Sequence, residues 1–196
     1  DAVRLDPRLR RAYARMLDDA GRTDDARSEY EAVLAEMPRA ATVHQDLGRM
    51  LFRQGDFAQA VEHLQQAAAA QPRDPVLQQE LAYALDRTGD NERAEEVYRE
   101  ILRAAPAAAV TRQYLADSLY RQGKKEEAIE VLQEGLARRP NTPLLQRQLP
   151  RLLALSGRDR EAAAAYRGYL QSAPGAPDAR EVAARIAALE GRGKAE

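Results

Sequence analysis

Apolar residues recur along this chain at helical spacing, in paired stripes separated by a glycine. In the segment ATVHQDLGRMLFRQGDFAQAVEHLQQAAAAQPRD, Leu47 and Leu51 mark one stripe, and Phe57, Ala60, Val61, Leu64 and Ala67 mark the other. Steps of three and four residues put such positions on one face of an α-helix. Gly55 interrupts the pattern where the chain has to turn, a place that suits a residue without a Cβ. Asp56 follows in the place of a helix N-cap, and Pro72 closes the second helix. The same arrangement returns with Leu81, Ala82, Leu85, Ala94, Tyr98 and Ile101, and again with Leu115, Ala116, Leu119, Ala128 and Leu132.

The recurrence has a fixed period. Gly21, Gly55, Gly89, Gly123 and Gly157 stand 34 residues apart, as do Pro38, Pro72, Pro106, Pro140 and Pro174, and Ala26, Ala60, Ala94, Ala128 and Ala162. Two stripes per period of this length predict stacked helical hairpins. The units run 7–40, 41–74, 75–108, 109–142 and 143–176. First helices are expected over 8–20, 42–53, 76–87, 110–121 and 144–155, several of them opened by a proline (Pro7, Pro75, Pro143). Second helices are expected over 24–36, 58–70, 92–104, 125–138 and 159–172. A last helix within 177–190 carries Val182, Ile186 and Leu189 on one face and charged residues on the other, as a terminal cap requires. Short tails, 1–6 and 191–196, remain. Pro150 falls inside a first helix, so a kink or local opening is expected near 146–150. Gly135 and Gly168 fall inside second helices, each costing about 0.5–1 kcal/mol relative to alanine or marking close packing.

Composition narrows the function. The 30 basic and 31 acidic residues nearly cancel, which argues against general affinity for nucleic acid. With no cysteine, a disulfide framework and a thiolate zinc site are excluded, while cytoplasm and periplasm both remain compatible. No run of apolar residues is long enough to insert in a membrane. The two histidines, His44 and His63, form no metal-binding spacing, and His44 reads as a packed helix residue. There is no phosphate-binding glycine loop, and no serine has a sequence context suggesting an activating base. The chain therefore reads as a non-enzyme, with no cofactor and no metal.

In register, the units resemble the tetratricopeptide repeat family, in its bacterial type, over residues 7–176. That family favours a small residue at position 8 of each unit, here Ala14, Gly48, Ala82 and Ala116, with Pro150 departing from the pattern. It favours a large residue at position 24, here Tyr30, Leu64, Tyr98, Leu132 and Tyr166. At position 4, where the family often has an aromatic residue, this chain has Arg10, His44, Gln78, Arg112 and Gln146, so a thinner apolar seam is expected there. The resemblance implies an all-α, right-handed superhelix of five hairpins and a cap. It also implies a scaffold that binds a peptide or extended protein segment on a concave surface lined by first helices.

Carried onto this sequence, the concave positions include Arg11, Arg15, Gln45, Arg49, Phe52, Arg53, Gln79, Tyr83, Arg87, Gln113, Tyr120 and Arg121. Gln45, Gln79 and Gln113 recur one repeat apart, and each amide both donates and accepts, as a peptide backbone demands; a solvated helix face explains them equally well. Phe52, Tyr83 and Tyr120, flanked by arginines, have the composition of an interface hot spot or of a partly buried seam. The arginines suggest a partner with some acidic character, diluted by Asp46, Glu80, Asp86 and Asp117. The family's clamp for a C-terminal carboxylate finds no matching register, although Arg11 and Arg15 could still hold an acidic group. Two alternatives stay open. One is a module of a larger secretion, envelope-assembly or glycan- or sulfate-transferring protein, suggested by the ends DAVRLD and GRGKAE. The other is self-association into a homo-oligomer through Leu9, Tyr13, Met16 and Leu17, unless those residues meet upstream repeats, since the opening LDP resembles the end of a previous unit.

Overall fold

The computed structural model describes residues 6–192, and the outer parts of both expected tails lie beyond them. Among the described residues the secondary structure is eleven helices and no strand: α1 (Pro7–Asp19), α2 (Thr23–Glu36), α3 (Ala41–Gln54), α4 (Phe57–Ala70), α5 (Pro75–Thr88), α6 (Asn91–Ala104), α7 (Ala109–Arg121), α8 (Lys125–Arg138), α9 (Pro143–Leu155), α10 (Asp159–Ser172) and α11 (Ala179–Arg192). Ten helices fall within one or two residues of the spans expected from apolar periodicity, while the last runs two residues further than expected. Local chemistry explains the starts. Proline opens α1, α5 and α9, and the Asp6, Asp56 and Asp74 carboxylates accept backbone N–H groups at the starts of α1, α4 and α5. The hairpin glycines hold left-handed backbone, with Gly55 at φ 82° and Gly89 at φ 90°, so their conservation of phase reflects a conformation that a Cβ would strain.

The chain divides into two compact units, residues 1–97 and 98–196, with the division inside α6. In the first unit α1 packs on α2, α3 on α4, and each second helix also meets the next first helix, α2 on α3 and α4 on α5. The first helices touch one another as a layer, α1 on α3 and α3 on α5. The second unit follows the same plan, with α7 on α8, α8 on α9, α9 on α10, α10 on α11 and α7 on α9. Both cores are built from the periodic positions: Ala14, Ala26, Tyr30, Leu47, Leu64 and Leu77 in the first, Leu115, Ala128, Leu132, Leu152, Ala162 and Tyr166 in the second. Val182 and Leu189 of α11 are buried, so that helix closes the last hairpin.

Small residues mark the closest approaches. A Cβ on Gly48 would lie 2.9 Å from Leu64 Cγ, and one on Gly135 would lie 2.6 Å from both Arg112 Cδ and Leu145 Cδ1. Gly168 meets nothing within 4 Å, so close packing explains Gly135 and not Gly168. Of the kink or opening expected near Pro150, the opening does not occur: α9 stays helical from Pro143 to Leu155. The proline leaves the Gln146 carbonyl without its N–H partner. Its ring is buried, and Leu145, Leu152 and Leu153 on either side are buried too, so packing holds the helix through the fault.

Candidate functional site

First helices carry the candidate residues because helical spacing turns positions 5, 9, 12 and 13 of each unit away from the hairpin core. In the first unit Arg11, Arg49 and Arg53 on this face are already engaged. Arg11 Nε donates to Asp46 at 2.7 Å, from α1 to α3. Arg53 of α3 pairs with Asp18 of α1. Arg49 Nε reaches both carboxylate oxygens of Glu80, at 3.0 and 2.7 Å, from α3 to α5. Each pair ties neighbouring first helices together, and each is partly solvated. Such pairs contribute under about 1 kcal/mol apiece, so they set register more than stability. Arg15 remains exposed beside a polar cleft shared with Asp18, Asp46 and Tyr30. Burial pushes the Tyr30 hydroxyl far above its ordinary pKa, so it stays neutral there.

The aromatic residues converge more than the sequence indicated. Phe52 and Tyr83 stand 5.3 Å apart between ring centroids. Phe57, read from sequence as a stripe residue of the second helix, joins them at 5.6 Å from Phe52 and 6.1 Å from Tyr83. All three rings are half-buried, and the Arg87 guanidinium sits 5.2 Å over the Phe57 ring. Phe57 starts α4 directly after the Gly55 turn, which swings its ring to the ends of α3 and α5. Gln45 and Gln79 lie half-buried on α3 and α5, with Gln45 accepting from Gln71 at 3.4 Å.

Gln113, Tyr120 and Arg121 belong to the second unit. The Tyr120 hydroxyl donates to the Leu155 carbonyl at 3.0 Å, and Lys125 lies 6.0 Å above its ring. Arg121 Nε donates to the Asp117 carbonyl at 3.3 Å. The Asp117 carboxylate accepts from Gln148 at 2.6 Å and Arg151 at 2.5 Å, tying α7 to α9. Gln113 and Leu144 edge a cleft of about 270 Å³ that reaches Tyr166 and Val182, with Arg147 held by Asp178 at 2.8 Å.

Sequence reasoning missed a further set of contacts. Three of the five polar residues at position 4 reach back six residues to the carbonyl of the phased proline, while Gln146 donates to Ser172 instead. His44 Nε2 lies 3.0 Å from the Pro38 oxygen, Gln78 Nε2 lies 3.4 Å from that of Pro72, and Arg112 donates to Pro106 at 3.0 and 3.3 Å. The signal was present as a fixed separation of two phased positions. His44 Nδ1 also meets His63 Nδ1 at 2.9 Å, which requires one ring nitrogen to carry the proton and the other to accept it. With His44 donating to Pro38 through Nε2, its Nδ1 accepts and His63 donates. Burial, and then the neighbouring His44, hold His63 below the ordinary histidine pKa.

Among the described residues no three His, Cys, Asp or Glu side chains form a metal-binding group, and no helix is long and apolar enough to cross a membrane. Models of the tetratricopeptide repeat match residues 11–75, 51–111 and 87–152. No curated protein sequence matches the chain. Solved structures do. One of MamA superposes with a TM-score of 0.75 at 16% identity, covering 86% of this chain and 92% of that one. Another, of MamA from Desulfovibrio magneticus RS-1, gives 0.74 at 16% identity, covering 87% and 97%. YrrB, described as a tetratricopeptide protein with an unusual peptide-binding site, gives 0.68 at 15% identity, covering 90% and 91%. At these identities the likeness is one of fold. The phased residues, the hairpins they form and the matched models together place the chain in the tetratricopeptide repeat family.

Proposed function

We propose that this chain is a protein-interaction scaffold that holds an extended protein segment on the first-helix face of α3 and α5. An apolar or aromatic side chain of the segment would be seated on Phe52, Phe57 and Tyr83. The observation that carries this reading is the three-ring cluster, half-buried on that face with Arg87 over one ring. Rigid aromatic side chains beside arginine are the composition of interface hot spots. Gln45 and Gln79, on the same two helices, offer donors and acceptors suited to a backbone in extended form. The peptide-binding site in the description of YrrB, a protein of the same fold, supports the reading.

Acidic character in the segment becomes secondary. Arg11, Arg49 and Arg53 already have carboxylate partners, so an acidic ligand would have to compete with Asp46, Glu80 and Asp18. Exposed Arg15 is the place where such a group would meet least competition. Peptides selected from a random display library on the full chain, and titrated by fluorescence anisotropy, test the proposal. The double variant Phe52→Ala/Tyr83→Ala should bind them at least about tenfold more weakly, with the helical circular dichroism signal unchanged. Equal affinity for the double variant would move the site off these rings.

A further inference from the structure

One groove differs in charge from its register equivalents. It runs between the C-terminal halves of α6 and α8, within the second compact unit, and has a volume of about 450 Å³. Arg99, Arg103, Arg112 and Arg138 line it against a single lining carboxylate, Glu134. Arg99 and Arg103 stand one turn apart on α6, and Arg138 lies across from them in the last turn of α8. These three are positions 25 and 29 of one repeat and position 30 of the next. The same positions read Glu31, Ala35 and Ala70 between the first and second repeats, and Gln65, Ala69 and Ala104 between the second and third. Between the fourth and fifth they read Gln133, Ala137 and Ser172. Arginine in a last turn suits the helix dipole. Yet α2, α4 and α10 end without a basic residue, so the hairpin itself does not require these arginines.

The floor of the groove adds to its charge. Arg112 is buried, and its guanidinium donates to the Pro106 and Val131 carbonyls. Its carboxylate partner, Glu134, stands 3.4 Å away on a side chain that is 67% exposed. Water therefore screens the acid more than the buried base beneath it. At the mouth, Arg103 reaches Glu100 only at 3.9 Å and Arg99 reaches Glu127 at 3.5 Å, with all four side chains exposed. Such pairs are weak and easily exchanged. Arg138 is exposed and has no ion pair with another described residue. Each guanidinium keeps N–H groups to spare, and its planar fork takes a carboxylate in a two-point contact. Half-buried Leu102 and buried Leu115 and Val131 complete the lining. A fitting ligand thus carries carboxylates at the rim and an aliphatic group between them. Glu100, Glu127 and Glu134, set among the arginines, would repel a continuous phosphate backbone, and the net charge of −1 gives the chain no general attraction to one. A protein segment can space its acids to avoid them.

From this we infer that the α6/α8 groove is a second docking surface of the scaffold, built for an acidic protein segment that also carries an aliphatic side chain. It uses other helices than the aromatic cluster of α3, α4 and α5, so the two sites can be lost separately. Fluorescence anisotropy on the full chain tests it, with a short labelled peptide of alternating glutamate and leucine as the probe. The same peptide with glutamine in place of glutamate should bind at least about tenfold more weakly. The double variant Arg103→Glu/Arg138→Glu should lower affinity for the acidic peptide at least about tenfold. Arg39→Glu/Arg73→Glu makes the same change of net charge at exposed positions elsewhere and should leave that affinity at the wild-type value. Phe52→Ala/Tyr83→Ala should also leave it there, which separates this groove from the first-helix site. All four arginines are exposed, and unchanged helical circular dichroism would show that the fold is kept. Equal binding of the two peptides, equal effects of the two arginine variants, or a loss in Phe52→Ala/Tyr83→Ala would each overturn the proposal. A labelled DNA duplex that binds more tightly than the peptide, and is released by Arg103→Glu/Arg138→Glu, would overturn it in favour of nucleic acid.

Discussion

The hairpins α3/α4 and α7/α8 solve the same local problem with different side chains. In each, position 4 supplies a donor to the carbonyl of the phased proline six residues back. In α3 that donor is His44, 8% exposed, and the second helix opposite it carries Ala67 and His63. In α7 it is Arg112, 4% exposed, and the second helix opposite it carries Gly135 and Val131. The larger, charged donor fits because glycine replaces the alanine found at the equivalent place in α4. Arg112 then reaches further than His44 can, to the Val131 carbonyl at 3.0 Å and to Glu134 at 3.4 Å. A helix-favouring alanine is given up where a guanidinium donates to the Pro106 and Val131 carbonyls, so the donor at this place matters more than the propensity of the residue facing it.

Removing the larger donor should have the largest effect. Arg112→Met keeps much of the side-chain volume but leaves the Pro106 carbonyl without its donor, while the Val131 carbonyl keeps its place in the hydrogen-bond ladder of α8. At about 1–3 kcal/mol for an acceptor left unsatisfied, together with the lost packing of a buried side chain, a loss of about 1–3 kcal/mol is expected. Glu134 side chain is 67% exposed, so its freed charge adds little. Urea denaturation is the check; a loss under half a kcal/mol would mean that water replaces the guanidinium at no cost.

Gly135→Ala should come next. The added methyl meets Arg112 Cδ and Leu145 Cδ1 at 2.6 Å, closer than real side chains pack, so α8, Arg112 or Leu145 must shift. Overpacking of this kind costs about 1–3 kcal/mol, against about 0.5–1 kcal/mol gained from alanine in a helix. The net should be destabilising. Gly168→Ala, in the same kind of helix but with nothing within 4 Å, should instead stabilise by the helix term alone. The transplant Arg112→His/Gly135→Ala, which copies the α3/α4 solution, should be less damaging than the sum of its single changes, since the clash and the bulky donor leave together. Strict additivity would show that the two positions do not compensate each other.

The hairpins themselves were legible in the sequence because glycine, proline and alanine hold one phase, and the helices follow from apolar spacing alone. The donors at position 4 were not legible as such. A polar residue where the family prefers an aromatic one looked like a loss of packing, and only the fold shows that its partner is the backbone of the phased proline. The site was partly legible. Phe52 and Tyr83 follow from their register, but Phe57 reads as a stripe residue until the Gly55 turn brings it round. The acids Asp46 and Glu80 were visible as charge on the same face; their pairing with Arg11 and Arg49 depends on how neighbouring first helices lie side by side, which residue spacing within one helix does not specify. Pro150 taught the converse: a residue that disfavours helix was overruled by the buried leucines around it.

The smallest effect separates the two hairpins by pH. Only α3/α4 contains histidine, since His44 and His63 are the only two in the chain. The folded state holds His63 below its ordinary pKa, chiefly by burial and then by His44; Glu62 and Glu31 oppose the shift and Arg27 adds to it. A group whose folded pKa is depressed binds fewer protons folded than unfolded. Its contribution is therefore complete above about pH 6.5, the unfolded value, and is lost as the pH falls through the lower folded value. Protonating this pair would also break the bond in which one imidazole must accept. Thermal unfolding should thus occur at lower temperature at pH 5 than at pH 7.5, and His63→Gln should flatten that difference, because an amide has no charge to gain. Arg112→Met, in the other hairpin, should lower both temperatures while leaving their difference unchanged. If His63→Gln keeps the full wild-type difference, the acid sensitivity arises from carboxylates elsewhere and the imidazole pair does not set it.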